Sequence, residues 1–359
     1  MASAAPRVKL QSVETARGIA AILVVLYHAA RHVAGNAGYL PFGSFSKFGH
    51  AGVDFFFVLS GFIILFIHHA DIGRPERAGH YLKRRVTRIY PVYWAALAAT
   101  LALIIASPSK TLPGPLETVR DVFLLPFGDP TLGVAWSLQF EVAFYAFFLV
   151  LILNLMAGLA LAAVWAIYIT VLIGGPGSVP GDAPWWAYSV QFVFGLGAAG
   201  VLLRFRIPAP RAVLIAGLTA FLAFGLLENI GLLDGYAVPA RFAYGFSAMI
   251  TLIGLVEADR SGLVRVPKVL AELGSSSYSI YLFHLMAIGV VWQVMLRTGL
   301  DRQLSPEVTY VVLVMAGVIG GVAASRLVER PLMGLARRLI DGPRRDPAPT
   351  LAPLTREGT

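Results

Sequence analysis

The chain has 359 residues, 57% hydrophobic and only 14% charged, with a formal net charge of +9 and a mean hydropathy of +0.72. These values exclude an ordinary soluble domain, in which about a quarter of the residues are charged. The sequence contains no cysteine, which excludes disulfides, thiolate catalysis, cysteine-ligated zinc and a covalent acyl-cysteine on this chain.

A membrane-spanning helix needs about 20 mostly apolar residues. Ten stretches meet that need, over 16–34, 51–70, 90–107, 132–152, 156–174, 185–204, 212–228, 236–256, 274–296 and 307–328. The expected fold is all-α, a polytopic membrane protein with about ten transmembrane helices in one bundle. Residues 1–335 form a single membrane domain, and 336–359, rich in Pro, Arg and Thr, form a disordered tail. The first apolar run is too long for a signal-peptide core and no small-x-small site follows it, so no cleavable leader is expected. No repeat recurs at a fixed period.

An even number of spans puts both termini on one side. That side receives Arg7, Lys9, Arg17, the block from Arg74 to Arg88, and the basic residues after spans six, eight and ten, which is most of the 29 Lys and Arg residues. Positive charge gathers on the cytoplasmic side of membrane proteins, so both termini are expected there. The high pI then has a topological origin, and no nucleic-acid partner is inferred.

Taken in order, the first span carries two polar residues around an unbroken apolar run, Arg17 and His28. Eleven residues bring a helix back to nearly the same face, about 16 Å further along. Ionisable groups at membrane depth are costly and mark functional sites by default. Arg17 reads either as a boundary anchor or as part of a site. His28 reads either as a helix–helix hydrogen bond or as a general base, since a neutral imidazole accepts a hydroxyl proton near neutral pH. In span two, Asp54 stands at the N-terminal end as a cap, and Ser60-Gly61 offers close packing against span one. Asp54 and Ser60, six residues apart, do not share a face. No Gly-x-Ser-x-Gly elbow is present to make a serine nucleophile.

Residues 76–90 have helical character and concentrate Lys83, Arg84, Arg85 and Arg88 at the cytoplasmic boundary. Lipid headgroups and topology account for such a cluster, and phosphate binding by arginine forks is the functional alternative. Pro91 suits the first turn of span three. In span four, Glu141 must be paired or protonated. It either orients an imidazole or makes a structural ion pair with an arginine. Gly195, Gly197, Gly200, Gly317, Gly320 and Gly321 allow close helix contact. His284 lies in span nine as a hydrogen-bonded histidine. His68, His69 and His80 show no metal-site spacing, so no metal is expected, and His32 and His50 read as outer-boundary residues.

Five segments in order resemble the acyltransferase 3 family of integral-membrane O-acyltransferases. They are Arg17 with His28 eleven residues on, Gly52-Val-Asp-Phe-Phe-Phe-Val-Leu-Ser-Gly61, Arg84-Arg-Val-Thr-Arg-Ile-Tyr-Pro91, Trp136-Ser-Leu-Gln-Phe-Glu141 and Ser277-Tyr-Ser-Ile-Tyr-Leu-Phe-His284. The resemblance spans roughly residues 15–335 and is closest to the bacterial exopolysaccharide O-acetyltransferase branch. It implies transfer of an acyl group, usually acetyl from acetyl-CoA, to a hydroxyl of a polysaccharide or lipid-linked glycan, in the bacterial inner membrane among its lipids. It assigns essential roles to Arg17 and His28 and a basic motif to Arg84, Arg85 and Arg88. Tyr90, Trp136, Ser137, Asp54, Ser60 and His284 carry over as supporting residues. Met286 stands where many members have proline, and no second catalytic domain is expected after the bundle. The expected mechanism places CoA phosphates on Arg84, Arg85 and Arg88, with His28 deprotonating the acceptor and Glu141 orienting its imidazolium. A covalent acetyl-histidine is the alternative route. The rival functions are a proton-coupled transporter and a glycan carrier without chemistry. Exopolysaccharide, lipopolysaccharide, a macrolide glycoside and a lipid all fit as acceptors.

Overall fold

Long apolar runs in a hydrocarbon environment must satisfy their own backbone groups, and a helix does so within one segment. A computed structural model of the chain describes residues 11–43, 45–107, 110–174 and 186–341, and it is built from helices without a strand among them. These are α1 (Gln11–Ala37), α2 (Gly52–His68), α3 (Ala78–Ile105), α4 (Pro115–Phe123), α5 (Trp136–Leu153), α6 (Leu155–Gly174), α7 (Trp186–Arg204), α8 (Pro210–Asn229), α9 (Val238–Arg260), α10 (Lys268–Ser275), α11 (Ser277–Thr298), α12 (Pro306–Ala324) and α13 (Arg330–Asp341). Among the described residues, eight helical segments are long and apolar enough to cross a membrane. Two further apolar helices, α6 and α7, stand at the fifth and sixth expected spans, with shorter apolar stretches at Leu155–Val171 and Tyr188–Arg204. Large apolar side chains such as Met156, Val164, Ile167, Ile215 and Ile319 face outward, a surface suited to lipid. The chain is thus a multi-pass helical membrane bundle.

Helix α1 is the central element, touching α2, α9, α10, α11 and α12. Small buried residues along it, Ala20, Ala21, Ala29 and Ala30, let those neighbours approach. Its start is tied to the end of α9, where Ser12 Oγ donates to Asp259 Oδ2 at 2.6 Å. Glycines supply the other close contacts. A Cβ on Gly61 would run into the Phe192 carbonyl, and one on Gly195 into the Val58 carbonyl. Gly61 therefore packs α2 on α7, not on α1 as expected from sequence. On α12, Gly317 faces Val25 and His284, and Gly321 faces Ile280.

Two boundaries differ from the sequence expectation. Pro91 lies inside α3, which runs unbroken from the basic segment into span three. Proline is tolerated within spans because neighbouring groups re-satisfy the backbone, and Val92 and Tyr93 beside it are fully buried. At the other end, α13 stays helical to Asp341, through the first residues of the expected tail. Residues 342–359 lie outside the described residues, as do Arg7 and Lys9.

A buried polar network joins α2, α7, α8 and α9. Asp54 does not cap α2. Its Oδ2 accepts from Arg241 Nη1 at 2.5 Å and its Oδ1 from Gln191 Nε2 at 2.7 Å. Arg241 also donates to His50 Nδ1 at 2.9 Å and to the Gly235 carbonyl. His50 Nε2 in turn donates to Glu228 Oε1 at 2.8 Å, and Tyr244 OH donates to Glu228 Oε2 at 2.6 Å. Arg241 and Asp54 are 1% and 0% exposed. At that burial a lone charge is far costlier than the pair, which explains why Asp54 turns inward in place of capping.

Gly61→Leu should destabilise the purified protein by about 3 kcal/mol through overpacking. Gly35→Ala, which meets open space, should be neutral or stabilising by up to about 1 kcal/mol. Thermal unfolding in detergent compares the two. Arg241→Met should cost about 3–5 kcal/mol because it strands the Asp54 carboxylate. The double variant Asp54→Leu/Arg241→Met should unfold at a higher temperature than Arg241→Met alone.

Candidate active site

Several of the sequence-predicted residues gather at two foci along α1. The first surrounds Arg17. Glu141 and Tyr145 lie four residues apart on one face of α5, and Tyr145 OH donates to Glu141 Oε1 at 2.5 Å. Ser60 Oγ of α2 donates to the same oxygen at 2.9 Å. Together with Arg17, Arg85, Arg88 and Tyr278 they line a cavity of about 40 Å³. Arg85 and Arg88, three apart on α3, share the face toward it. Arg84, rotated by about 100° from Arg85, does not line it. Tyr90 points elsewhere, donating to the Phe123 carbonyl at 3.0 Å and fixing α3 against α4.

Both cavity-lining arginines of α3 are held from behind. Arg85 stacks over Tyr81 and Tyr145, 5.9 and 5.6 Å from their ring centres. Its Nη2 donates to His68 Nε2 at 3.4 Å, and His68 Nδ1 donates to Asp71 Oδ2 at 2.8 Å. Arg88 lies 5.5 Å above Tyr278 and 3.5 Å from Glu329. Glu329, on a π-helical turn that follows α12, accepts from Ser279 Oγ at 2.7 Å and Ser325 Oγ at 3.2 Å. Arg17 makes no hydrogen bond or ion pair among the described residues.

Arg17 and Arg88 line a second space as well, an open cleft of about 410 Å³ bounded by Glu14, Glu329, Arg330 and Met333. At its rim Glu272 accepts from Arg330 Nη2 at 2.7 Å and Arg326 Nε at 3.0 Å. The hydrogen bond from Arg330 foremost holds the Glu272 carboxyl below its ordinary range. A cationic lining therefore continues from the cleft to the Ser60–Glu141 pair. Guanidinium forks in such a setting suit phosphate or carboxylate ligands.

The second focus surrounds His28. Its ring centre is 5.1 Å from Tyr27 and 5.2 Å from His284 of α11, tilted by 42° from the latter. His284 is fully buried. Its Nδ1 donates to the Tyr281 carbonyl at 2.7 Å. Tyr281 OH donates to the Val134 carbonyl at 3.0 Å and lies 2.6 Å from Ser137 Oγ. Trp136 packs among Phe57, Phe140 and Tyr188. Ser137 thus reaches the histidine pair through Tyr281, while Trp136 packs in an aromatic cluster.

The structure brings His28 together with His284, and Arg17 with Ser60, Arg85, Arg88 and Glu141. It does not join Glu141 to His28: the carboxylate bonds Ser60 and Tyr145, so the expected orientation of the imidazole by Glu141 is not seen. Asp54 belongs to the Arg241 network. Sequence reasoning missed Tyr145, Glu329, Arg330 and the Arg241–His50–Glu228 network. Arg241 had a signal, since it falls five residues inside an expected span. Glu329 had only its place just beyond the end of another.

A family model described as an acyltransferase domain, of the acyltransferase 3 type, matches residues 10–327. The exopolysaccharide production protein ExoZ of Rhizobium meliloti (strain 1021) is 32% identical over 333 residues, covering 89% of this chain and 98% of that protein. The acyltransferase MdmB of Streptomyces mycarofaciens is 27% identical, covering 98% of this chain and 99% of its own. Protein 2 in the picA locus of Rhizobium radiobacter is 31% identical over 105 residues, 29% of this chain and 50% of that protein. No solved structure matches the chain. With the family model and ExoZ both spanning most of its length, this chain belongs to the acyltransferase 3 family and is a membrane acyltransferase.

Proposed function

We propose that the chain moves an acetyl group from acetyl-CoA to a hydroxyl of a polysaccharide or lipid-linked glycan, with His28 as general base. The observation that carries this reading is the continuous arginine lining: Arg17 and Arg88 border both the open cleft and the small cavity beyond it. The name of ExoZ, a relative concerned with exopolysaccharide production, supports a polysaccharide acceptor. In this reading the protein sits in the bacterial inner membrane with both termini cytoplasmic, as the distribution of basic residues favours. The cleft then opens to the cytoplasm, where acetyl-CoA is found.

The CoA phosphates are taken by Arg85, Arg88 and Arg17, with Arg330 in the open cleft. Glu141 balances the cationic lining and fixes Ser60 and Tyr145. From Arg17 to His28 is about 16 Å along α1, a distance of the order of a pantetheine arm, so a donor anchored among the arginines presents its thioester near the imidazole. The acceptor oxygen attacks the thioester carbonyl as His28 takes its proton. The carbon–sulfur bond breaks, and the departing CoA thiolate receives that proton from His28. The histidine is thus restored in each turnover.

Membranes containing the wild type, supplied with radiolabelled acetyl-CoA and host glycans, should label a glycan fraction. His28→Ala at equal membrane levels should lose activity by at least about 100-fold, and retained transfer would contradict the reading. Arg85→Ala and Arg88→Ala should each raise KM for acetyl-CoA by about 10-fold or more, the scale of a lost charge-assisted hydrogen bond.

A further inference from the structure

A base that gathers positive charge in a membrane bundle needs a group to receive it, and Glu141 is bonded elsewhere. The group beside His28 is a second imidazole. His284 donates its Nδ1 proton to the Tyr281 carbonyl at 2.7 Å, with the Ile280 carbonyl 3.1 Å away. A neutral imidazole has one N–H, so Nε2 is left with a lone pair and can only accept. That Nε2 is fully buried and has no hydrogen-bond partner among the described residues. Buried polar atoms are nearly always paired, and an orphan calls for an explanation. The His28 ring centre lies 5.2 Å away, tilted by 42°, so the two rings are neighbours without a hydrogen bond between them in this structure. Gly317 keeps α12 from crowding the pair, since a side chain there would press on Val25 and His284.

We propose that His284 is the positioning residue of the transfer: as the acceptor binds, the His28 ring turns so that the unpaired Nε2 of His284 accepts its N–H, fixing which His28 nitrogen faces the acceptor hydroxyl. The proposal rests on the acyl-transfer reading above. When His28 takes the acceptor proton at its free nitrogen, both of its nitrogens carry hydrogen. The one facing His284 stays bonded to Nε2, which spreads the new charge. His284 keeps its own proton on Nδ1, held by Tyr281, and exchanges none. The proton on His28 leaves with the CoA thiolate.

The test is steady-state acetyl transfer by the full-length protein in membranes or nanodiscs, with kcat and KM for acetyl-CoA measured separately. His284→Phe keeps the ring and removes the acceptor. It should lower kcat by about 100-fold with KM within about twofold. His284→Gln restores an acceptor oxygen and should recover about tenfold of that loss. Adding His284→Phe to His28→Ala should cost nothing further, because the two act as a unit. Wild-type kcat in His284→Phe, a loss carried by KM, no recovery in His284→Gln, or multiplicative losses in the double variant would each overturn the proposal. Should His284→Phe fail to accumulate in membranes, His284→Gln decides: about a tenfold fall in kcat alone upholds it, and an unchanged kcat overturns it. If the wild type transfers no acetyl, the acyl-transfer reading itself falls and takes the proposal with it, an outcome distinct from a silent His284 in an active enzyme.

Discussion

The cost of holding charge at membrane depth shapes this structure more than any other constraint. Water is absent there, so each guanidinium, carboxylate or imidazole must be met by another part of the protein or by a ligand. The Arg241 network meets that demand within the chain. Asp54, Gln191, His50, Glu228 and Tyr244 close around one guanidinium and leave it 1% exposed. The Arg17 end is different. Its arginines lie along a cavity and a cleft, with Glu141 already engaged by Ser60 and Tyr145 and Glu329 by two serines. One region pairs its charges within the chain and ties α2, α7, α8 and α9 together. The other lines a cavity and a cleft with arginines, of which Arg88 also pairs with Glu329.

Helix α1 links both foci of the site. Its small buried residues admit α2, α9, α10, α11 and α12, and its polar residues emerge where those neighbours leave space. Arg17 appears where α2, α3, α5 and α11 converge, and His28 where α11 brings His284. One rigid helix therefore fixes the distance between the arginine cluster and the imidazole. Rigidity of that kind is what transfer between two bound substrates requires, because small displacements of reacting groups are costly to rate.

Much of this was legible in the sequence for a physical reason. Apolar length reports a span directly, so ten helices appear where the hydropathy places them, α6 and α7 included. Arg17, Glu141, Arg85 and Arg88 stood out as charges within or beside apolar runs, and the structure gathers them at one cavity. What could not be read was pairing. Asp54 looks like a cap because caps are local, yet its partner Arg241 lies 187 residues away. Glu141 and His28 reach similar depths by counting, but depth along two helices does not fix which faces meet. Pro91 looked like a start because the apolar stretch begins there, while the basic turns before it continue the same helix. Glu329 was hidden by its place at the end of a span, where a charge is ordinary. Membership of the acyltransferase 3 family settles the class of chemistry against the transporter and carrier readings, which buried charges alone leave open.

Equilibrium binding of labelled acetyl-CoA to purified protein most directly separates the two foci, because it reads donor capture without chemistry. With the arginines as the donor site and His28 as the base, His28→Ala should bind acetyl-CoA within about twofold of wild type, and Arg17→Ala should bind at least about tenfold more weakly. Full-strength binding by Arg17→Ala, together with lost binding by His28→Ala, would contradict the account.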